Sequence, residues 1–198
     1  MLKKIGLGLA AAVVLLVIVI ATRPADFKVS RSRTLAAAPE VVFAWLDDFH
    51  RWHDWSPWEK LDPGMKREVG GAPSGTGATY HWVGNDKVGE GRMTITDSQP
   101  PRTVTIRLEF LKPFAATNTT LFELAPSGTG TTVTWTMSGH NNFMAKAFSM
   151  LMDMDATVGP DFERGLANLD AATASAASAP TPSAPAPAAV PAPAPTGT

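Results

Sequence analysis

The stretch HRWHDWSPWEK, which begins at His50, concentrates side chains that could do chemistry. It holds two of the chain's four histidines and three of its six tryptophans. His50 and His53 stand three positions apart beside Asp54, and helical spacing would set both imidazoles on one side. Zinc, however, takes three or four ligands. Only His81 and His140 remain as further imidazoles, and there is no cysteine, so we expect no metal site and no cofactor.

Acid–base catalysis requires a carboxylate or an imidazole inside a pocket. The candidates are His81, Glu90, Glu109 and Glu123. His81 and Glu109 lie opposite the apolar faces of their predicted strands, which directs them to solvent, whereas Glu90, between two glycines at a strand start, is expected to lean inward. No nucleophile elbow, Ser–His–Asp order or carboxylate dyad occurs. We therefore name no catalytic residue and favour a protein that is not an enzyme.

Charge and glycine patterns exclude two further kinds of partner. The chain of 198 residues has a net charge of −1 and no basic stripe with interleaved aromatics, so we expect no nucleic-acid binding. The glycine-rich run GAPSGTG leads into a predicted strand and lacks the lysine of a phosphate-binding loop. It is predicted to be a hairpin turn.

The N-terminus carries a membrane signal. Residues 5–22 are uncharged and mostly apolar, and Lys3 and Lys4 precede them. A helix of that length spans roughly 27 Å, close to the hydrocarbon thickness of a bilayer. The sequence Val19-Ile20-Ala21 loosely fits a signal-peptide cleavage site, but the run is long for a signal peptide. We favour an uncleaved, single-pass anchor in the inner membrane, with the domain in the periplasm.

Three regions follow from composition. Residues 1–25 form the predicted transmembrane signal anchor, residues 26–170 form one globular domain, and residues 171–198 form an uncharged tail rich in Ala and Pro. Proline at every second or third position opposes helix and removes backbone donors. The tail is therefore predicted to be disordered or extended.

Alternation of apolar and polar residues predicts seven strands within the domain. They cover residues 26–35, 65–69, 76–84, 91–97, 102–110, 116–124 and 131–137. The clearest is 102–110, where Val104, Ile106, Leu108 and Phe110 share one face. Short breaks rich in turn-forming residues separate most of the strands, which predicts antiparallel hairpins.

Helical spacing predicts two small helices after the first strand and a long one at the C-terminus. The small ones cover residues 39–48 and 50–55. The C-terminal helix starts near Asn141 or Asn142, either of which suits an N-cap. Gly159-Pro160 should kink or restart it, because proline clashes with the carbonyl four residues earlier. This helix is the only element long enough to cover the apolar face of the sheet.

This order of elements resembles the START-like superfamily (SRPBCC), which includes birch-pollen-allergen proteins, and within it the polyketide cyclase/dehydrase and lipid transport group. The resemblance covers residues 26–170. It rests on PEVVFAWLDDFHRWHDWSPWEKLDP, GTGATYHWVGND, VGEGRMTI, RLEFLKPF, GTTVTWTMSGH and GPDFERGL. It implies an α+β helix-grip fold: a seven-stranded antiparallel sheet wrapped round a long C-terminal helix, with two short helices after strand 1 and a ligand cavity between sheet and helix.

The expected function is membrane-anchored binding of a hydrophobic small molecule or lipid in that cavity. The alternatives are an enzyme of polyketide cyclase or dehydratase type, and an interaction module whose interior is filled. The resemblance places the small helices and their tryptophans beside the cavity mouth, and the methionine-rich composition suits an adaptable apolar pocket. The expected ligand-binding residues are Trp55, Trp58, Tyr80, Trp82, Met93, Ile95, Leu108, Phe110, Trp135, Met137, Phe148, Leu151 and Met152.

Overall fold

The computed structural model describes residues 2–150 and 153–178. Five α-helices lie in that part of the chain: α1 (Leu2–Thr22), α2 (Pro39–Leu46), α3 (Trp52–Trp55), α4 (Phe143–Ser149) and α5 (Met154–Ser178), with a 3-10 turn at Phe49–Arg51. The strands are β1 (Asp26–Leu35), β2 (Lys66–Gly71), β3 (Ala78–Val83), β4 (Glu90–Gln99), β5 (Thr103–Lys112), β6 (Ala116–Ser127) and β7 (Gly130–His140).

The strands form one antiparallel sheet in the order β1-β7-β6-β5-β4-β3-β2. At one end, Asp26 pairs with His140, and the connections at 84–89 and 113–115 lie at this same end. We call it the α1 end, because α1 enters there. At the opposite, far end, Leu35 pairs with Thr131. The predicted seven-stranded antiparallel sheet is confirmed.

Helix α5 covers the concave face of the sheet along β1. Its buried stripe is Phe162, Leu166 and Leu169, spaced three or four residues apart. Helix α2 buries Val42 and Leu46 against the same interior from the far end. The sheet, the two small helices and the C-terminal helix together confirm the helix-grip α+β fold.

Gly159 and Pro160 do not make the C-terminal helix restart, which is one of the two outcomes that the sequence predicts there. The helical chain divides earlier, since α4 ends at Ser149 and α5 runs unbroken from Met154 through Pro160. The glycine serves a different purpose, because a Cβ there would lie 2.0 Å from Nη2 of Arg31. The bare backbone of α5 at this point gives the guanidinium room.

Arg31 fastens β1 to the first half of α5 through that space. Its two terminal nitrogens donate to the carboxylate of Asp155 at 2.8 Å each, and its Nε donates to Glu163 at 2.8 Å. These contacts lower the pKa of Asp155 and raise that of Arg31. The two carboxylates stand four residues either side of Gly159, so the arginine lies across the helix.

The end of α5 also differs from the predicted boundary of the tail. The helix continues through residues 171–178, which composition assigned to the tail. This part is rich in alanine and free of proline, and alanine has the highest helix propensity. Proline begins at Pro180. The remaining residues of the predicted tail, 179–198, lie outside the described part of the chain.

Helix α1 is long and apolar enough to cross a membrane, which is a property shared by membrane anchors and signal sequences. Almost all of its candidate span, Lys3–Thr22, is exposed in the structure. Only three residues separate the end of α1 from the start of β1. At this junction Nζ of Lys146 on α4 donates to the carbonyl of Ala21 at 3.3 Å.

Candidate functional site: a cavity between sheet and C-terminal helix

The tryptophan-rich stretch after α2 divides between core and cavity. Trp55 is fully buried, and its ring lies 5.7 Å from that of Trp135 and 6.1 Å from Phe122. Trp52 is nearly as buried, and its Nε1 donates to the carbonyl of Leu46 at 3.1 Å. These aromatic side chains pack against one another, and their large apolar contacts hold the small helices against the sheet.

A cavity of about 310 Å³ lies between the α1-end half of the sheet and the start of α5. This volume falls within the roughly 300–1,000 Å³ of typical small-molecule pockets. Most of its wall is aromatic or methionine side chain. The lining residues are Trp52, Ser56, Trp58, Glu59, Met65, Tyr80, Trp82, Lys87, Val88, Met93, Leu108, Phe110, Thr120, Trp135, Met137, Thr157, Val158, Asp161 and Phe162.

Trp82 forms one wall because its strand neighbour is a glycine. Gly91 pairs with Trp82 across β3 and β4, and a Cβ on Gly91 would lie 2.3 Å from the indole. The missing side chain lets the ring lie flat against the sheet, with its Nε1 donating to the carbonyl of Val88 at 3.0 Å. Phe110 meets the same ring edge-on at 6.1 Å.

The opposite wall is set by Trp135 on β7. Its ring stacks on Phe162 of α5, with centroids 4.1 Å apart and planes 6° apart. Gly165 permits this approach, since a Cβ there would lie 2.7 Å from the indole. The glycine and the stacked pair therefore hold α5 close to β7 and leave the cavity on the side of β3–β5.

One carboxylate lies in the cavity wall. Glu59 is 8% exposed, and its Oε1 accepts a 2.6 Å hydrogen bond from the Tyr80 hydroxyl. Its Oε2 lies 2.5 Å from Nε of Arg67, an ion-pair contact without hydrogen-bond alignment. Burial first, and then the bond to Glu59, raise the pKa of Tyr80 well above its ordinary range. The carboxylate thus contacts a hydroxyl donor on one oxygen and a guanidinium on the other.

The opening of the cavity lies between the β3–β4 connection and the first turns of α5. Lys87 and Thr157 are the lining residues that are exposed. Nearby, Nε1 of Trp58 donates to Asp161 at 3.1 Å, and Asp161 also pairs with Arg164. This network fixes the Trp58 ring beside the opening.

Eight of the thirteen expected ligand-binding residues line this cavity: Trp58, Tyr80, Trp82, Met93, Leu108, Phe110, Trp135 and Met137. Trp55 and Ile95 do not line it, since both are fully buried in the core. Trp55 in particular is not at the mouth, because the small helices pack over the far end and the opening is elsewhere. Leu151 and Met152, with the side chain of Phe148, lie outside the described residues.

The structure adds cavity residues that the sequence pattern missed, above all Glu59. Glu59 lies two residues after Pro57, in a turn between a helix and a strand, where neither the helical nor the strand periodicity of apolar residues applies. The signal available was its place in the segment WSPWEK, between aromatics expected near the cavity.

The polar candidates from the sequence lie on the outer surface. Glu90 does not lean inward: it lies 2.6 Å from Lys112 and 3.6 Å from His81 on the convex face, and the lysine lowers its pKa. His50 and His53 are exposed and contact Asp48 and Asp54 respectively. Among the described residues, no three His, Asp or Glu side chains form a group able to hold a metal ion.

The family can be named on this geometry. The sequence model described as "Polyketide cyclase / dehydrase and lipid transport" matches residues 26–174. The chain belongs to this family. Its members are associated with hydrophobic ligands or polyketide cyclisation, and the family match ends within α5. Among curated proteins, none matches the chain.

Solved structures agree with this family's fold. A Chromobacterium violaceum protein, CV1439, is 15% identical, with a TM-score of 0.55 over 74% of this chain and 96% of that one. The Aha1 dimer protein from Colwellia psychrerythraea is 17% identical, with a TM-score of 0.53 over 74% and 96%. The aromatase/cyclase StfQ of the steffimycin pathway is 12% identical, with a TM-score of 0.56 over 78% of this chain and 53% of that one. These identities establish a shared fold only.

Proposed function

We propose that this protein binds a hydrophobic small molecule or lipid in the cavity between β3–β5 and the start of α5. The observation that carries the proposal is an unfilled volume of about 310 Å³ with a mainly apolar wall. Burying an apolar ligand there releases roughly 25 cal/mol for each Å² removed from water. The ligand-binding residues are the eight expected residues that line the cavity.

The other two interpretations fit the cavity less well. An interaction module would have its interior filled by side chains, and this interior is not. A cyclase or dehydratase would need a carboxylate or imidazole positioned against the substrate in the cavity. Glu59 is the most buried acidic side chain of the wall, and Tyr80 and Arg67 already engage it. The paired carboxylate favours binding over catalysis.

We also propose that α1 holds the domain at the inner membrane, with residues 26–198 in the periplasm. The apolar length of α1, about 31 Å for its 21 residues, and the preceding Lys3 and Lys4 support an anchor with a cytoplasmic N-terminus. A reporter fused after Thr198 should be active only outside the cytoplasm. Activity of a cytoplasmic reporter in the same position would overturn the orientation.

The binding experiment uses the full chain purified in detergent. Native mass spectrometry should detect a co-purified lipid or apolar molecule, and added oleate should change the tryptophan fluorescence. In Leu108→Trp the larger ring would occupy the cavity, so oleate affinity should fall at least tenfold. The matched control is Leu121→Trp, because Leu121 lies on the convex face of neighbouring β6.

Three results decide the proposal. Weaker binding by Leu108→Trp alone, with circular dichroism unchanged, supports the cavity as the site. Equal affinity of both variants and the parent would put the site elsewhere. Absence of any co-purified molecule, together with no response to oleate or to an aromatic polyketide, would refute the binding function.

A further inference from the structure

The exposed apolar side chains of the domain gather at the α1 end. Outside α1, nine large apolar side chains are exposed among the described residues, and eight belong to segments at or next to this end. The eight, which we call the apolar rim, are Leu61, Val83, Leu111, Phe114, Phe143, Met144, Met150 and Met154. Clustered exposed apolar surface of this kind marks a contact with a partner or a membrane.

The short link to α1 brings the rim near whatever surrounds that helix. Thr22 and Asp26 are four residue steps apart, which span at most about 14 Å when fully extended. Helix α4, which carries Phe143 and Met144, also contacts α1 directly. A bilayer holding α1 would therefore lie against the α1 end of the sheet rather than the far end.

The cavity opens toward the same end. Its exposed lining residues are Lys87, in the connection that follows β3, and Thr157, in the first turns of α5. Rim residues lie close to them along the chain, with Val83 at the end of β3 and Met154 at the start of α5. The far end offers no comparable apolar surface in the described chain, since Val41 is the single large apolar side chain exposed there.

We propose that the apolar rim inserts into the surface of the membrane that holds α1, and that the cavity takes up a single-chain lipid directly from that leaflet. The proposal rests on the anchored binding function proposed above. Aromatic and long apolar side chains at the interface insert shallowly among headgroups. An opening held there lets an acyl chain enter the cavity without crossing water.

The size of the cavity favours a small lipid. Its volume of about 310 Å³ lies at the lower end of the roughly 300–1,000 Å³ of small-molecule pockets. This favours a lipid with one acyl chain over a diacyl lipid. The headgroup would remain at the opening, beside Lys87 and Thr157.

The first experiment measures which end of the domain meets the membrane. The chain has no cysteine, so Ala115→Cys, next to Phe114, and Thr129→Cys, in the far-end β6–β7 turn, each accept one bimane label. The full chain is reconstituted into phosphatidylcholine/phosphatidylglycerol vesicles with lipids that carry a nitroxide near the headgroup. We expect at least twofold quenching of the label at position 115 and none at position 129.

The outcomes separate this inference from the function on which it rests. Chain that fails to float with the vesicles would refute the anchor itself. Chain that floats but shows no quenching at position 115 would refute the membrane-facing rim and leave the cavity function standing. Equal quenching at both positions would also refute it, because the domain would then lie on its side.

The second experiment measures the entry path. Vesicles containing anthroyloxy-stearate and the full chain report uptake by energy transfer from the cavity tryptophans. Phe114→Asp should slow uptake about tenfold while the final level of transfer stays unchanged, because the charge impedes insertion and does not touch the cavity. The matched control is Val41→Asp, an exposed apolar residue at the far end, which should take up lipid at the parent rate. Parent-like uptake by Phe114→Asp would overturn the proposal.

Discussion

The two halves of β5 look alike in sequence and differ in structure. Val104 and Ile106, toward the far end, are completely buried under the small helices. Leu108 and Phe110, toward the α1 end, follow on the same face and line the cavity. The adjacent strand repeats the difference, with Ile95 fully buried and Met93 at the cavity wall.

The position of the cavity therefore depends on which elements cover the sheet rather than on the sheet itself. The far-end half is filled because Phe49 and the side chains of α2 reach into it. The α1-end half has α5 only along β1 and β7, so large side chains on β3–β5 face the start of α5 across a gap. A filled region and a hollow region therefore share one continuous apolar face.

Truncating side chains on the two halves of β5 should change stability by the most. Ile106→Ala should lower the free energy of unfolding by about 2–5 kcal/mol, because it opens a new cavity in packed core. Leu108→Ala should cost less than about 2 kcal/mol, since its side chain already borders empty space. Urea unfolding of the full chain in detergent measures both. Equal losses would mean that the two halves are equally packed.

The next effect tests the wall of the hollow half. Gly91→Ala puts a Cβ 2.3 Å from the Trp82 ring and 2.6 Å from the backbone oxygen of Glu109, so both the indole and the β4–β5 pairing should shift at the cavity wall. We expect oleate affinity to fall about tenfold, with a loss of about 1–3 kcal/mol in stability from overpacking. Gly64→Ala is the control, because its Cβ meets only Asp62 at 3.4 Å. Unchanged affinity in Gly91→Ala would place Trp82 outside the ligand's space.

Tyr80, the single tyrosine of the chain, lies at the boundary between the filled and the hollow half of the sheet, so its ionisation reports on that boundary. Tyr80 lies 5.8 Å from Phe49 on the filled side and 6.3 Å from Trp82 on the hollow side. Its pKa is raised by burial, so absorbance titration at alkaline pH should show a midpoint above the ordinary value of about 10. Ionisation near pH 10 in the folded chain would show that Tyr80 is open to water.

The same shift has a stability consequence with a definite sign. Above about pH 10 the unfolded chain releases the Tyr80 proton while the folded chain retains it, so stability should fall as pH rises through that range. Tyr80→Phe should lack this part of the alkaline loss. Thermal unfolding of the two proteins between pH 8 and pH 11 makes the comparison.

The smallest effect concerns the position of α5. Gly159→Ala would displace the Arg31 guanidinium from Asp155 and Glu163, and we expect Tm to fall by a few degrees. Because Arg31 lowers the pKa of Asp155, the lost stability is present above about pH 4 and disappears as pH falls. Arg31→Met combined with Gly159→Ala should lose no more than either alone. An additive loss would contradict the coupling.

Most of the fold follows from local patterns in the sequence. Alternation in β5 and β7 locates strands to within a few residues, and Asn142 caps α4 as predicted, accepting from the backbone N–H of Ala145 at 2.9 Å. The local proline rule predicts a kink or a restart at Gly159-Pro160, but the helix does not restart there. Gly159 instead has a tertiary role, because its bare backbone makes room for Arg31. A glycine that makes room for an arginine from another element does not change the local pattern of apolar residues, so the pattern cannot predict it.

The cavity could be predicted only in part, for a physical reason. Alternation tells which face a side chain occupies, and eight expected residues do line the cavity. Alternation does not tell how far along the strand a covering helix extends, and this is why the pattern predicts the same role for Ile95 and Met93. Glu59 lies in a turn without a period, so its pairing with Tyr80 depends on chain packing alone.

The three-residue link between α1 and β1 limits where this protein can work. If α1 is the proposed anchor, the domain cannot travel, since about 14 Å of chain is shorter than the domain itself. A shuttle between two membranes needs a long tether or none. This protein would instead act at a fixed place on the membrane. A bound ligand would either return to the same leaflet or pass to another protein that docks on the domain.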